Sequence, residues 1–156
     1  MKIGVIADTH DNIPKIKKAL ATFKGRDCEV IIHAGDVISP FAAKALKAAK
    51  LPVYAVYGNN DGEKKGLADL LDIVEGPRVL KVGGRRIVVA HSIDQITEEH
   101  RQSAELIVVG HTHVAELKRE KPMLLNPGEA GGWLYGKTSV AVVDTGRLAI
   151  EQLSLD

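Results

Sequence analysis

Only one cysteine occurs in the 156 residues. Cys28 has no partner for an internal disulfide, and its setting, Arg-Asp-Cys-Glu-Val, holds nothing that would make it a thiolate nucleophile; it reads as a small buried side chain, and such sparing use of cysteine fits a reducing cytoplasm. Aromatic residues are scarce at 4%, and none interleaves with the basic clusters Lys15–Lys18 and Gly83–Arg86 to make a base-stacking surface. Those clusters therefore read as a solvated helix face and a hairpin tip, and nucleic acid is not an expected partner. Net charge is only +1, so no excess of either sign points to a polyanion or a membrane surface. No apolar run approaches the ~18 residues of a membrane-spanning helix, and the first one stops at Asp8, too soon for a secretory signal. What is present, 45% hydrophobic and 26% charged residues, suits one soluble globular domain over residues 1–156, with a core of its own and a cytoplasmic location.

Strand and helix signals alternate through the first half. "KIGVIA", "EVIIHA" and "PVYAVY" are short β-branched apolar runs, read as buried strands. "NIPKIKKALATF" repeats at helical spacing through Ile13, Ile16, Leu20 and Phe23 behind Asn12 as cap. "SPFAAKALKAAK" opens with Ser39 as N-cap and Pro40 at the first helical position. "KKGLADLLDIV" predicts a third, shorter helix. Further on, "RVLKVGGRRIVVAH" predicts a hairpin turning at Gly83-Gly84, "ITEEHRQS" a short helix with Thr97 near its start, and "AELIVVG" a buried strand. "AELKRE", "PMLLN", "TSVAVVDTG" and "RLAIEQLSL" predict more strands and a closing hairpin. Strand–helix repeats followed by consecutive strands point to an α/β fold with two sheets.

The informative residues are those that end the apolar strands. The first strand ends in "ADTHDN", the second in "HAGD", the third in "YGNND", the hairpin in "AHS" and the next buried strand in "GHTH". In α/β folds the carboxyl ends of strands form the rim where ligands bind. Five rim segments thus supply Asp8, His10, Asp36, Asn59, His91, His111 and His113. Each alone has a bland reading: Asp36 as a turn cap, Asn59 as turn chemistry, His91 as a satisfied histidine. Jointly they form a donor set of imidazoles, two carboxylates and an amide oxygen, suited to Mn, Fe, Ni or Zn. Seven donors exceed one tetrahedral site and match two metals that share a carboxylate. Two divalent ions against two carboxylates leave a positive centre that attracts phosphate, and paired metals ~3.5–4 Å apart activate water and clamp phosphoryl oxygens.

In this order the motifs "ADTH", "GD", "GNND", an isolated histidine after an apolar strand, and "GHTH" resemble the calcineurin-like metallophosphoesterases. Chain length, the early first motif and "NPGE" (Asn126–Glu129) are similar to the small YfcE-like branch, which includes the retromer scaffold subunit. The resemblance runs over nearly the whole chain. It implies a four-layer αββα sandwich of two mixed β-sheets flanked by helices. It also implies that Asp8, His10 and His113 hold one metal, that Asn59, His91 and His111 hold the second, and that Asp36 bridges them. The implied function is phosphodiester hydrolysis by in-line attack of a metal-bridging hydroxide, with Asp36, Asn59 and His91 in the catalytic role and a small phosphate ester as substrate. Hydrolysis of monoesters or nucleotides is the rival activity. A non-catalytic protein-binding scaffold is the rival class, and retention of all seven donors favours the enzyme.

Two departures carry consequences. The wider superfamily has a histidine, acting as general acid, where this chain has Asn60; an amide donates no proton at reasonable cost, which favours good leaving groups such as phenols or cyclic phosphates. Ser92 follows His91 where the branch usually has glycine. Asp61 and Asn12 read equally as orienters of the ligands and as turn residues. His33 reads as a core histidine bonded to backbone, and His100 as solvated. Trp133 and Tyr135, in "GGWLYG" (Gly131–Gly136), are expected in core packing, ahead of a cleft-lining or homo-oligomer role.

Overall fold

A computed structural model describes all residues, Met1–Asp156. Eleven strands divide between two sheets. In the first, β1 (Lys2–Ile6), β2 (Val30–His33), β3 (Val53–Val56) and β4 (Asp72–Val74) run parallel, β10 (Ser139–Asp144) pairs antiparallel with β1, and β11 (Ala149–Ser154) pairs antiparallel with β10, in the order β11-β10-β1-β2-β3-β4. In the second, the order is β5-β6-β7-β9-β8, formed by β5 (Arg78–Val82), β6 (Arg85–Val89), β7 (Leu106–Val108), β8 (Glu116–Lys118) and β9 (Met123–Asn126). Here β6, β7 and β9 are parallel, and β5 and β8 close the edges antiparallel.

Alternation along the strands builds the layers. Ile3, Val5 and Ala7 of the β1 segment, with Ile32 of β2, face the second sheet, where they pack with Val89, Leu106 and Val108. Ile6 turns the other way and joins Ile16, Phe23 and Leu46 beneath the helices α1 (Ile13–Gly25) and α2 (Pro40–Lys47). A third apolar cluster, with Val88, Ala90, Ile96, Ile107 and Val109, lies on the outer face of the second sheet under α4 (Glu98–Ser103). Helices, sheet, sheet and helix make the αββα order. Phe23 is fully buried, so its truncation to alanine costs about 3–5 kcal/mol.

Caps account for the helix starts. Asn12 accepts from Lys15 N at 3.3 Å, and its amide donates to Gly131 O at 2.7 Å, so one side chain both caps α1 and ties down a distant loop. Ser39 sits at the N-cap position of α2, but its hydroxyl donates to Asp11 Oδ1 at 2.7 Å instead of capping. His100 is no idle surface group: Thr97 N donates to its Nδ1 at 3.2 Å, which completes a capping box at α4.

The helix expected over "KKGLADLLDIV" is two elements. The helix α3 covers only Lys64–Ala68, and Asp72–Val74 forms β4 at the sheet edge. Leu67, Leu70, Leu71 and Val74 stand at i, i+3, i+4 and i+7, the spacing of a helical stripe, yet pairing of Ile73 with Ala55 on β3 satisfies the backbone better at the edge of a sheet.

Candidate metal centre

Five of the parallel strands deliver donors at the shared rim. The first sheet sends Asp8 and His10 from β1, Asp36 from β2 and Asn59 from β3; the second sends His91 from β6 and His111 and His113 from β7. All seven predicted residues meet in one place. The oxygen and nitrogen atoms of Asp8, His10, Asp36 and His113 lie within 4.8 Å of one another. Beside them, Asn59 Oδ1 is 2.8 Å from His91 Nε2 and 3.1 Å from His111 Nδ1, and those two nitrogens are 3.3 Å apart. Asp36 Oδ2 stands between the groups, 3.3 Å from His10 Nε2 and 3.5 Å from His91 Nε2.

Local backbone geometry aims these groups. Asp8, His10, Asp36, His111 and His113 all have φ between 42° and 71°, the left-handed region that side chains rarely enter. Such conformations cost on the order of 1–3 kcal/mol and survive only where surrounding bonds enforce them. Here the loops are stitched together: Asp8 N donates to Gly35 O at 3.0 Å, His10 N to Asp36 O at 3.1 Å, and His111 N to Asp8 Oδ2 at 3.0 Å. Two glycines are required by close approach. A Cβ on Gly35, itself at φ 98°, would lie 2.4 Å from His91 Nδ1, and one on Gly58 would lie 2.1 Å from Asp36 Oδ1.

Asp61 resolves as a positioning residue. Its buried carboxylate accepts from the backbone N–H groups of Asp36, Ile38 and Gly58 at 3.0, 2.7 and 2.7 Å, which holds the second and third rim loops in register. Asn60 clamps Asp36 itself, donating from its backbone N to Oδ1 and from its side-chain amide to Oδ2, both at 2.9 Å. His33 is a core histidine, as expected: Gly35 N donates to its Nδ1, its Nε2 donates to Thr9 Oγ1, and the Thr9 hydroxyl donates to Asp36 O. Burial pushes the His33 imidazole down to about 3, so it stays neutral. The Cys28 thiol is pushed up to about 11, chiefly by burial, and is inert.

The donor set fits divalent cations. His91 Nδ1 donates to Ala34 O at 2.8 Å, because a carbonyl only accepts; in the neutral imidazole, the form that binds metal, Nε2 is then a lone pair facing another acceptor, Asn59 Oδ1. Two acceptors at 2.8 Å are stable around a positive ion. On the other side, Asp8 Oδ1 and His10 Nε2 are buried with no hydrogen-bond partner, a costly arrangement unless an ion satisfies them. Asp8 foremost, then Asp36 and Glu129, hold the His10 imidazole above its ordinary pKa, and the negative potential responsible draws a metal ion as readily as a proton. His10 Nε2 lies 3.8 Å from Asp8 Oδ1, a through-space attraction and not a directed bond.

One participant escapes the strand-end pattern. Glu129 is buried, with Oε1 3.3 Å from His113 Nδ1, and its carboxylate also accepts from Trp133 N at 2.7 Å and Leu134 N at 3.2 Å. Its signal in the sequence is the acid of "NPGE" directly before a run of small residues. Trp133 and Tyr135 are not in the core: they are exposed, and Trp133 Nε1 donates to His10 O at 3.1 Å. A glycine-rich loop pinned at its base turns these rings outward.

This arrangement has counterparts in known proteins. Residues 1–147 match the calcineurin-like phosphoesterase superfamily domain. Phosphodiesterase MJ0936 of Methanocaldococcus jannaschii is 30% identical across the full length of both chains, and a protein from Methanothermobacter thermautotrophicus described as a probable metallophosphoesterase is 32% identical over 82% of this chain and 76% of its own. A solved archaeal phosphodiesterase superposes with a TM-score of 0.88 at 28% identity, covering 99% of each chain. The YfcE phosphoesterase of E. coli, at 21% identity and a TM-score of 0.73 over the whole of both chains, shares the fold. With the convergent donors and this match over most of its length, the chain belongs to the calcineurin-like phosphoesterase superfamily and is a metal-dependent phosphoester hydrolase.

Proposed function

We propose that the chain is a phosphodiesterase working with two divalent cations, manganese foremost among manganese, nickel, iron and zinc, in one domain over residues 1–156. The observation that carries this reading is the position of Asp36 Oδ2, within 3.3 Å of His10 Nε2 and 3.5 Å of His91 Nε2: one carboxylate oxygen is common to an acidic donor group and a neutral one. Asp8, His10, Asp36 and His113 would hold one cation, and Asp36, Asn59, His91 and His111 the other. When bound, the cations supply activated water near neutral pH and positive charge for the phosphoryl oxygens.

The protein's own residues set the rest. Asp36, fixed by both N–H donors of Asn60, holds the two donor groups at one separation. His91 is locked by Ala34 O with its Nε2 turned to the mouth, beside the exposed Asn59 and His111, so phosphoryl oxygens approach on that open side. Asn60 has no proton to give, and both its N–H groups are engaged. The departing oxygen must leave as a stable anion or take its proton from solvent, which favours esters of acidic alcohols. The M. jannaschii relative is a phosphodiesterase, and the diester reading is carried over from it. No helix is long and apolar enough to cross a membrane; with one buried thiol, the expected place of work is the cytoplasm.

Protein loaded with Mn²⁺ should hydrolyse bis(4-nitrophenyl) phosphate faster than 4-nitrophenyl phosphate, and His111→Ala should abolish both reactions. Metal-insensitive turnover that persists in His111→Ala contradicts the proposal. Absence of turnover with any of the four metals supports a non-catalytic scaffold instead.

A further inference from the structure

A groove of about 760 Å³ leaves the candidate metal centre at His113 and runs between Val114, Ala115, Tyr135 and Leu153. For a chain so poor in aromatics, exposed apolar surface is concentrated here: Tyr135 and Val114, which line the groove, are 58% and 53% exposed, and Trp133 and Leu134, which precede Tyr135 in the chain, are 68% and 60% exposed. Fraying does not explain this exposure. The loop is pinned by Gly131 N to Asp8 O at 2.9 Å, by the Asn12 amide to Gly131 O, by the Trp133 indole to His10 O, and by the Trp133 and Leu134 backbone N–H groups to the Glu129 carboxylate. Three of those anchors, Asp8, His10 and Glu129, are candidate ligands or stand against one. The fold thus holds apolar side chains beside His10 and His113 of the candidate centre. On the opposite side of the centre a smaller groove of about 350 Å³ is polar, lined by Asn59, Lys64, Ser92 and Gln95.

We propose that the His113 groove is a specificity subsite that binds an aromatic organic arm of the phosphate ester against Tyr135 and Val114. This rests on the phosphodiesterase reading and adds the substrate class: an aryl or nucleobase-like ester in preference to a small alkyl one. Planar rings gain from apolar burial and from stacking on the tyrosine, whereas a methyl group spans none of the groove. Lys137 lines the same groove, is exposed and forms none of the protein's ion pairs, so it is free to meet a further anionic substituent.

The test uses two non-hydrolysable probes, phenylphosphonate and methylphosphonate. Their affinities are read by inhibition of the Mn²⁺-loaded full chain and, independently of turnover, by amide chemical shifts of the metal-free chain. Phenylphosphonate should bind the loaded chain about five- to tenfold more tightly, with shifts at Val114, Tyr135 and Leu153. Tyr135→Ser should collapse that ratio to about one, whereas Phe41→Ser, at an exposed apolar residue on α2 outside the groove, should retain it. Equal affinity of the two probes in the unaltered chain, or a preference that survives Tyr135→Ser, overturns the subsite alone. Failure of both probes to bind the loaded chain overturns the phosphoryl site, and the subsite with it. If the loop instead seats a second copy of the chain, the probe ratio is one and Tyr135→Ser shifts a dimer to monomer in sedimentation, which also overturns the proposal.

Discussion

The two sheets contribute to the rim on different terms. The first supplies both candidate carboxylates, Asp8 and Asp36, fully buried and braced by Asp61, Asn60 and the His33–Thr9 chain. The second supplies only imidazoles, of which His111 is exposed. Negative charge is thus built into the interior of one sheet, and the other adds imidazoles alone. A cation bound here has ligands from both, so it ties the sheets together across the core they share. The first sheet sets the charge of the centre, and the second sets access to it.

The sharpest way to break this division is to remove the group that joins the halves. Asp36→Asn should lower diester turnover at least about a thousandfold while the fold persists, with activity and far-ultraviolet circular dichroism measured side by side. If activity survives that change, the halves do not depend on a shared oxygen. Next in size is the metal's effect on the fold. Cation at about a hundredfold over its Kd should add about 2.7 kcal/mol to unfolding, and chelation should remove it in a denaturant titration. Equal loss of that increment in His113→Ala and in Asp8→Asn would show both sheets gripping the same ion.

Glu129→Gln sharpens the contrast from the second sheet. It leaves an acceptor for Trp133 N but weakens the carboxylate beside His113 Nδ1, so metal affinity should fall about ten- to a hundredfold with little change in stability. Isothermal titration with Mn²⁺ reads this directly. The smallest effect belongs to the first sheet. Because the folded His33 is held near 3 against an ordinary value of 6.5, the unfolded chain binds the extra proton, and stability is lost as pH falls below 6.5. Between pH 6.5 and 5.5 the metal-free protein should lose about 1 kcal/mol from this group, a slope that His33→Asn should lack.

Legibility in the sequence followed the same divide between pattern and geometry. Strand-end donors could be read because an apolar run stopped by Asp, His or Asn is a local signal, and all seven converge. The division of "GHTH" between partners came only through a resemblance, since it depends on φ of 71° at His111 and 61° at His113, which turn neighbouring rings toward Asn59 and toward Asp8 and Glu129. Glu129 escapes the sequence pattern because its partner is sixteen residues away in the chain, at no ligand-like spacing. Trp133 and Tyr135 lie outside the core that their residue type predicts, since aromatic residues ordinarily bury. Nothing in "GGWLYG" reveals that bonds to Asp8, His10 and Glu129 would hold the loop face-outward. The strand Asp72–Val74 was absorbed into a helix because three residues at a sheet edge are too few to break an apolar stripe.

The claim at the centre of this account is that two cations share Asp36. Metal content per chain, measured on Mn²⁺-saturated protein by native mass spectrometry and checked for spin coupling by electron paramagnetic resonance, addresses it most directly. Two coupled manganese ions per chain, with the coupling abolished in Asp36→Asn, is the predicted result. One ion per chain, or two uncoupled ions insensitive to Asp36, would contradict it.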